Sequence, residues 1–369
     1  MKKILADRTG YIDSSGIRKV FALAAKMKDP VNFSIGQPDF DVPEPVKREA
    51  IRAIEAGNNK YSQTAGDVEL IEKIAGGIKT EFGWESPKVL VTSGVSGGIL
   101  LAFLALINPG DEVIIPDPYF VMYKHLVNML GGKCVFVDCY PDFDLPVERI
   151  SDAITDRTKL IIINSPCNPT GAVYGEKGIK DIIDIAAKRN IVILSDEIYN
   201  IYSYDDICVS PAKWYDRTLV LRGFSKSCAM TGWRMGYAAA GGQLADMIEK
   251  MTMIQQYTFV CAPTPFQKAA IAAMDCDMTE FVNAYRKKRD LIYEGLKDKF
   301  QIVRPGGAFY AFVKAPSGRA TEFVEKAIAN NVLVIPGNVF SEKDTHFRIS
   351  YATSDEKIKK GIEILRGLA

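Results

Sequence analysis

Apolar residues along the chain fall into short runs that alternate between the periodicity of strands and that of helices. Runs rich in branched side chains at 88–92, 112–116, 134–137, 160–164, 191–195 and 218–221 predict strands. Amphipathic stretches at 45–56, 67–82, 99–107, 123–130 and 177–189 predict the helices between them. Asp67 has the position of an N-cap, and Gly57 closes the helix before it. Continuously apolar strands alternating with helices predict a mostly parallel sheet covered on both faces. Past Tyr237 the pattern turns helical, at 243–253, 265–274 and 279–300, the last long enough to bridge to a second unit. From 302 onward, shorter strands at 308–313, 332–335 and 346–350 mix with two helices, an α+β pattern. A further amphipathic helix is expected at 17–27, in an N-terminal arm that folds back on this last unit. The expected architecture is therefore α/β, with a large domain at 46–285 and a smaller α+β domain from 1–45 and 286–369.

Composition narrows the function without naming it. The 369 residues are 47% hydrophobic and 25% charged, ordinary for a globular protein. Lys and Arg exceed Asp and Glu by one, which gives no electrostatic reason to expect nucleic acid or a membrane surface as partner. A small molecule is the expected partner. The seven cysteines form no CxxC pair and the two histidines, His125 and His346, lie far apart, so no metal site is expected. Reduced thiols, a start too short and charged for a secretion signal, and no apolar run of about 18 residues predict a cytoplasmic location.

The chemistry concentrates in segments that follow strands, where open α/β sheets bind ligands. Lys226 follows the 218–221 strand among small residues, with no carboxylate nearby in sequence; burial would lower its pKa and make it an imine-forming nucleophile. Arg234, eight residues further on, has a planar fork suited to phosphate. Ser93-Gly-Val-Ser-Gly-Gly98 is read as a tight loop leading into a helix, whose N-terminus would cradle a monophosphate. Its glycines at 94, 97 and 98 do not fit the G-x-G-x-x-G of a dinucleotide loop. Asn168 stands in Ser165-Pro-Cys-Asn-Pro-Thr-Gly171, either as an Asx turn or with its amide aimed at a ligand oxygen. Asp196, in Ser195-Asp-Glu-Ile-Tyr199, is either a helix cap or a carboxylate that keeps a pyridine nitrogen protonated, with Tyr199 one helical turn along to reach the ring oxygen. Gly36 marks either a simple turn or a place where a ligand approaches the backbone.

Taken in order, Ser-Pro-x-Asn-Pro-Thr-Gly, Asp-Glu-x-Tyr and Phe-Ser-Lys-x-x-x-Met-Thr-Gly-Trp-Arg-x-Gly-Tyr resemble the fold-type I aminotransferases of class I/II, which depend on pyridoxal 5'-phosphate (PLP). The resemblance spans nearly the whole chain. Residues 15–40 look most like the branch that holds prokaryotic aspartate and aromatic aminotransferases. It implies that Lys226 forms the internal aldimine and carries the proton between Cα and the cofactor. Asp196 would pair with the pyridinium nitrogen, Asn168 and Tyr199 would hold the phenolate oxygen, and Phe120 rather than Tyr119 would stack on the ring. Val95, Ser96, Ser225 and Arg234 would surround the phosphate. Tyr61 would reach that phosphate from the other subunit of a homodimer with shared sites. Arg348 and the backbone of Gly36 would grip the substrate α-carboxylate. One departure is that many relatives carry a phosphate-binding serine where this chain has Gly223.

The activity this implies is transfer of an amino group from an L-amino acid, aromatic or aspartate, to a 2-oxo acid such as 2-oxoglutarate. A PLP-dependent C–S β-lyase of the same fold and a non-catalytic ligand-sensing domain are the alternatives. No arginine is assigned to the distal end of the substrate.

Overall fold

The computed structural model describes residues 4–12, 16, 20 and 27–369. The helix expected at 17–27 lies outside them, apart from Val20 and Met27. In chain order the strands are β1 (Val31–Asn32), β2 (Lys88–Ser93), β3 (Glu112–Asp117), β4 (Lys133–Asp138), β5 (Thr158–Asn164) and β6 (Val192–Asp196). There follow β7 (Thr218–Gly223), β8 (Met235–Ala240), β9 (Tyr310–Lys314), β10 (Val332–Leu333), β11 (Ile335–Pro336) and β12 (His346–Ser350).

Strands β2 to β8 form a seven-stranded sheet in the order β2-β8-β7-β6-β5-β3-β4. Every pair in it is parallel except those of β8, which runs antiparallel to β2 and β7. The continuous apolar runs arise because both faces are covered. β5 sends Leu160 and Ile162 into one core, beneath helices Gly94–Leu106 and Ala245–Gln256, and Ile161 and Ile163 into another, beneath helix Glu176–Lys188. Helices Val68–Phe82 and Thr264–Ala273 close the rest of that second face over Val89, Val91 and Val220. The expected N-cap is present, with the Asp67 side chain accepting from the Leu70 N–H at 3.3 Å.

Several expectations need correction. The loop expected at 93–98 is the first turn of helix Gly94–Leu106, with Gly94 at φ +66° turning the chain out of β2. Strand β8 is not legible in the sequence, because glycine and alanine have low strand propensity. Those small residues are what the sheet needs there, since a Cβ on Gly236 would lie 2.7 Å from the backbone of Gly94. The strand expected at 332–335 divides into β10 and β11, which join different sheets. The helix expected at 279–300 ends at Leu296, and a short helix, Val147–Ala153, is an addition.

The rest of the chain builds a second core on the antiparallel order β11-β12-β9. Phe347 and Ile349 of β12 point into it, packed by helices Thr279–Leu296, Ala320–Ala329 and Asp355–Leu368. The N-terminal arm does fold back on this unit. β1 pairs in parallel with β10, the Phe33 N–H donates to the Leu333 carbonyl at 2.8 Å, and Phe33 is fully buried.

The topology fixes where chemistry can occur. Strands β2, β3, β5, β6 and β7 all end on one edge of the sheet. β8, being antiparallel, begins on that same edge, so the residue before it, Arg234, is delivered beside the carboxyl ends of the others.

Candidate active site

At that edge lies a cavity of about 220 Å³, walled on its far side by residues of the second unit. It is lined by Gly36, Val95, Ser96, Phe120, Asn168, Asp196, Tyr199, Ser225, Lys226, Arg234 and Arg348, every residue singled out in the sequence except Tyr61. Tyr61 is 83% exposed on the surface.

Lys226 sits in the short helix Phe224–Ser227 that follows β7, and its Nζ donates to the Gly36 carbonyl at 2.6 Å. Its pKa is pushed down to about 8, chiefly by burial, then by the charges of Arg348 and Arg234, with Asp196 opposing. A larger share of neutral amine is therefore present near pH 7 than for a surface lysine.

Asp196, the last residue of β6, is buried and accepts from the Tyr123 hydroxyl at 2.6 Å and the Ile198 N–H at 3.3 Å. Burial raises its pKa to about 6, against those two hydrogen bonds. No helix follows it. Residues 198–201 form a turn, so the expected helical spacing to Tyr199 is replaced by a turn that still brings Tyr199 to the cavity. Asn164, which ends β5, ties the neighbouring loops together. Its amide donates to the Asp196 carbonyl, and its oxygen accepts from the Asn168 N–H, both at 2.9 Å.

One end of the cavity is the N-terminus of helix Gly94–Leu106, where the side chain of the N-cap residue Ser93 makes no capping hydrogen bond to the first turn. Arg234 lies against it, its guanidinium 2.6 Å from where a Cβ on residue 94 would be. The guanidinium donates to the carbonyls of Thr231 at 2.8 Å and Ser93 at 3.3 Å. Arg234 itself adopts φ +58°, a strained backbone for an arginine. Gly223 also has a reason to stay glycine. It pairs with Gly236, and a Cβ there would lie 3.0 Å from the Met235 carbonyl and 3.1 Å from the Gly236 Cα.

The other end is Arg348, in the middle of β12 and 1% exposed. Alternation along the strand turns it away from Phe347 and Ile349, into the cavity. Nη1 donates to Asn168 Oδ1 at 2.8 Å and Nη2 to the Ser34 carbonyl at 2.9 Å, while buried Nε has no partner among the described residues. The guanidinium lies between the rings of Tyr310 and Phe340, 4.5 Å from each centroid. No carboxylate pairs with it among the described residues. A buried cation in that state is a site for an incoming anion.

Phe120 rather than Tyr119 faces the cavity. Tyr119 turns away, stacking on Phe136 and donating to Glu342 at 2.6 Å. Sequence reasoning passed over Asn164, Ile99, Ile198, Thr231 and Tyr310 as lining residues, and Tyr123 as the partner of Asp196. Asn164 ended a predicted strand next to a recognised motif, which was a usable signal. The Tyr123–Asp196 contact spans 73 positions and left no local one.

Comparison with known proteins gives a consistent result. Residues 28–365 match the family described as aminotransferase class I and II. A probable aspartate aminotransferase of Methanocaldococcus jannaschii is 40% identical, over 98% of this chain and 99% of that one. An aromatic-amino-acid aminotransferase of Thermococcus litoralis is 36% identical, over 97% of this chain and 96% of that one. The solved aspartate aminotransferase of Thermus thermophilus with maleate superposes with a TM-score of 0.94 at 34% identity, covering all of both chains.

The depressed Lys226 pKa predicts a distinct reactivity. In ligand-free protein, acylation of Lys226 by a small neutral reagent, followed by peptide mass spectrometry, should rise with pH and reach half its maximum near pH 8. Exposed lysines should do so only above pH 10. A Lys226 profile that coincides with theirs would remove the electrostatic basis for its reactivity.

Proposed function

The chain belongs to the class I and II aminotransferases, PLP-dependent enzymes, and from that premise we propose that it moves the amino group of an aromatic L-amino acid or aspartate to 2-oxoglutarate or a similar 2-oxo acid. The observation that carries the reading is the half-buried amine of Lys226 between two guanidiniums, Arg234 at a helix N-terminus and Arg348 without a carboxylate partner among the described residues.

The residues fit the cofactor and its substrate. The uncapped first turn at Val95 and Ser96, with Ser225 and Arg234 beside it, suits a phosphate, and the unpaired Arg348 Nε at the other end suits a carboxylate. Bound PLP would supply an aldehyde for the amine and a conjugated ring that accepts the electron pair left at Cα. In this proposal Lys226 would hold the aldehyde carbon until the donor's amine displaces it, and its freed amine would then take the proton from Cα and deliver it two atoms away, at the former aldehyde carbon. Asp196, kept in place by Tyr123, holds the proton on the ring nitrogen. Asn168 and Tyr199 would hold the ring oxygen, and Phe120 would cover the ring face. Arg348 and the Gly36 backbone orient the α-carboxylate so that the Cα–H bond faces Lys226. The division into a domain at 46–285 and one from 1–45 and 286–369 belongs to the same proposal, with the cavity between them.

A homodimer with shared sites is also proposed. Exposed apolar side chains support it, among them Val68, Met253, Tyr257, Phe259 and Val260, together with Tyr61. Phe259 would come within 3.8 Å of a Cβ on Gly97, so this surface adjoins the phosphate end of the cavity. Tyr61 would serve the partner's phosphate across it.

The test of substrate class is Arg348→Ala in a half-reaction followed by cofactor absorbance. It should slow turnover of every amino-acid donor, by a loss on the order of 2–5 kcal/mol, and leave an amine lacking the carboxylate unaffected. Arg348→Lys should recover little, because a point charge cannot reproduce the fork. Equal slowing of both substrates would assign the carboxylate elsewhere.

Tyr61→Phe tests the shared site. Cofactor retention should weaken by about 1 kcal/mol, the worth of one ordinary hydrogen bond, or more because the phosphate is charged. Sedimentation of the wild type as an active monomer would refute the composite site.

A further inference from the structure

Tyr310 has no role in the reading above, yet it is built into the site from several directions. It opens β9, is 1% exposed and lines the cavity. Its ring covers one face of the Arg348 guanidinium at 4.5 Å, and its hydroxyl lies 2.7 Å from that of Tyr199. The hydroxyl also occupies the space that a side chain at position 36 would take, because a Cβ on Gly36 would overlap it. Glycine at 36 therefore does two things. It offers its carbonyl to Lys226 and leaves room for the Tyr310 hydroxyl.

Proton counting makes the Tyr199–Tyr310 contact directional. A tyrosine hydroxyl has one proton and two lone pairs, so only one of the two can donate across the 2.7 Å contact. If Tyr199 gives its proton to the ring oxygen of the cofactor, Tyr310 must be the donor to Tyr199. We propose that Tyr310 is a positioning residue that donates to Tyr199 and so strengthens Tyr199 as a donor to that ring oxygen. This rests on the assignment of Tyr199 to the ring oxygen.

The electrostatics favour this direction. Burial raises the pKa of both phenols. For Tyr310 the chief opposing influence is the Arg348 charge under its ring, followed by the hydrogen bond with Tyr199. For Tyr199 the proximity of Tyr310 adds to the rise before Arg348 opposes it. The Arg348 charge against its ring draws electron density from the Tyr310 hydroxyl, which favours donation by Tyr310. Besides Arg348, the charged and titratable groups that line the same cavity are Asp196, Lys226 and Arg234, and Tyr123 donates to Asp196. A chain of hydroxyls each polarised by the next is stronger than isolated pairs.

The experiment is an absorbance-monitored pH titration of the PLP-loaded protein, comparing wild type with Tyr310→Phe, Tyr199→Phe and the double variant. Phenylalanine at 310 keeps the ring on Arg348 and removes only the hydroxyl. Losing a donor to the ring oxygen destabilises its anionic form, so the titration midpoint should move up. Tyr199→Phe should move it most, and Tyr310→Phe by about 0.3–1 pH unit in the same direction. The double variant should match Tyr199→Phe alone, because Tyr310 acts only through Tyr199. A shift for Tyr199→Phe with none for Tyr310→Phe would overturn the inference and leave Tyr310 as packing for Arg348. An additive double variant would also overturn it, by giving Tyr310 its own contact. No shift in any variant would overturn the assignment of Tyr199 to the ring oxygen, and this inference with it.

Discussion

The structure is arranged around a half-buried lysine amine with no carboxylate bonded to it among the described residues. Lys226 Nζ rests on a backbone carbonyl, that of Gly36, while Arg234 and Arg348 repel its charge from either side. Burying cations in one cavity is unfavourable unless something compensates. Each guanidinium is held by neutral acceptors, Arg234 by the Thr231 and Ser93 carbonyls, and Arg348 by Asn168 and the Ser34 carbonyl. Neutral acceptors satisfy the donors and leave the charges uncancelled. The cavity therefore attracts anions at both ends and holds a readily neutralised amine in the middle, which is the arrangement a phosphate-bearing aldehyde and an amino acid require.

Holding those groups together is what the fold contributes. Parallel strands bring Asn164, Asp196 and the Lys226 segment to one edge, and β8, which runs antiparallel to its neighbours in that sheet, brings Arg234 there from the opposite direction. Close packing sets the tolerances. Gly94, Gly223 and Gly236 stack where helix Gly94–Leu106, β7 and β8 converge, and a methyl group on Gly236 would press on the Gly94 backbone. The departure at Gly223 follows from that crowding. Arg348 comes from a separate sheet, to which the N-terminal arm is tied where the Ser350 N–H of β12 donates to the Phe33 carbonyl at 2.8 Å, so that Gly36 reaches the cavity and the Ser34 carbonyl reaches Arg348.

Much of this was legible in the sequence, for reasons that can be stated. β3, β5, β6 and β7 are runs of branched residues because both their faces are covered, and such runs are read directly. The residues that line the cavity were singled out because their motifs follow strands and recur in a family with the same order. β8 was missed because its residues were chosen for smallness, which works against the local signal for a strand. Tyr123 and Tyr310 were missed because their roles depend on partners far away in sequence, Asp196 and Tyr199, and neither stands in a motif. A helical turn after Asp196, one of the two readings of that segment, is replaced by a turn at 198–201, and Tyr199 reaches the cavity all the same.

The central claim is that the cofactor is anchored on Lys226 and released from it by the amino-group donor. Borohydride reduction of PLP-loaded protein, followed by peptide mass spectrometry, tests both halves. The account predicts a reduced pyridoxyl-phosphate adduct on Lys226, which disappears when an L-amino acid donor is added before reduction. An adduct on a different lysine, or one on Lys226 that persists in the presence of every donor, would contradict it.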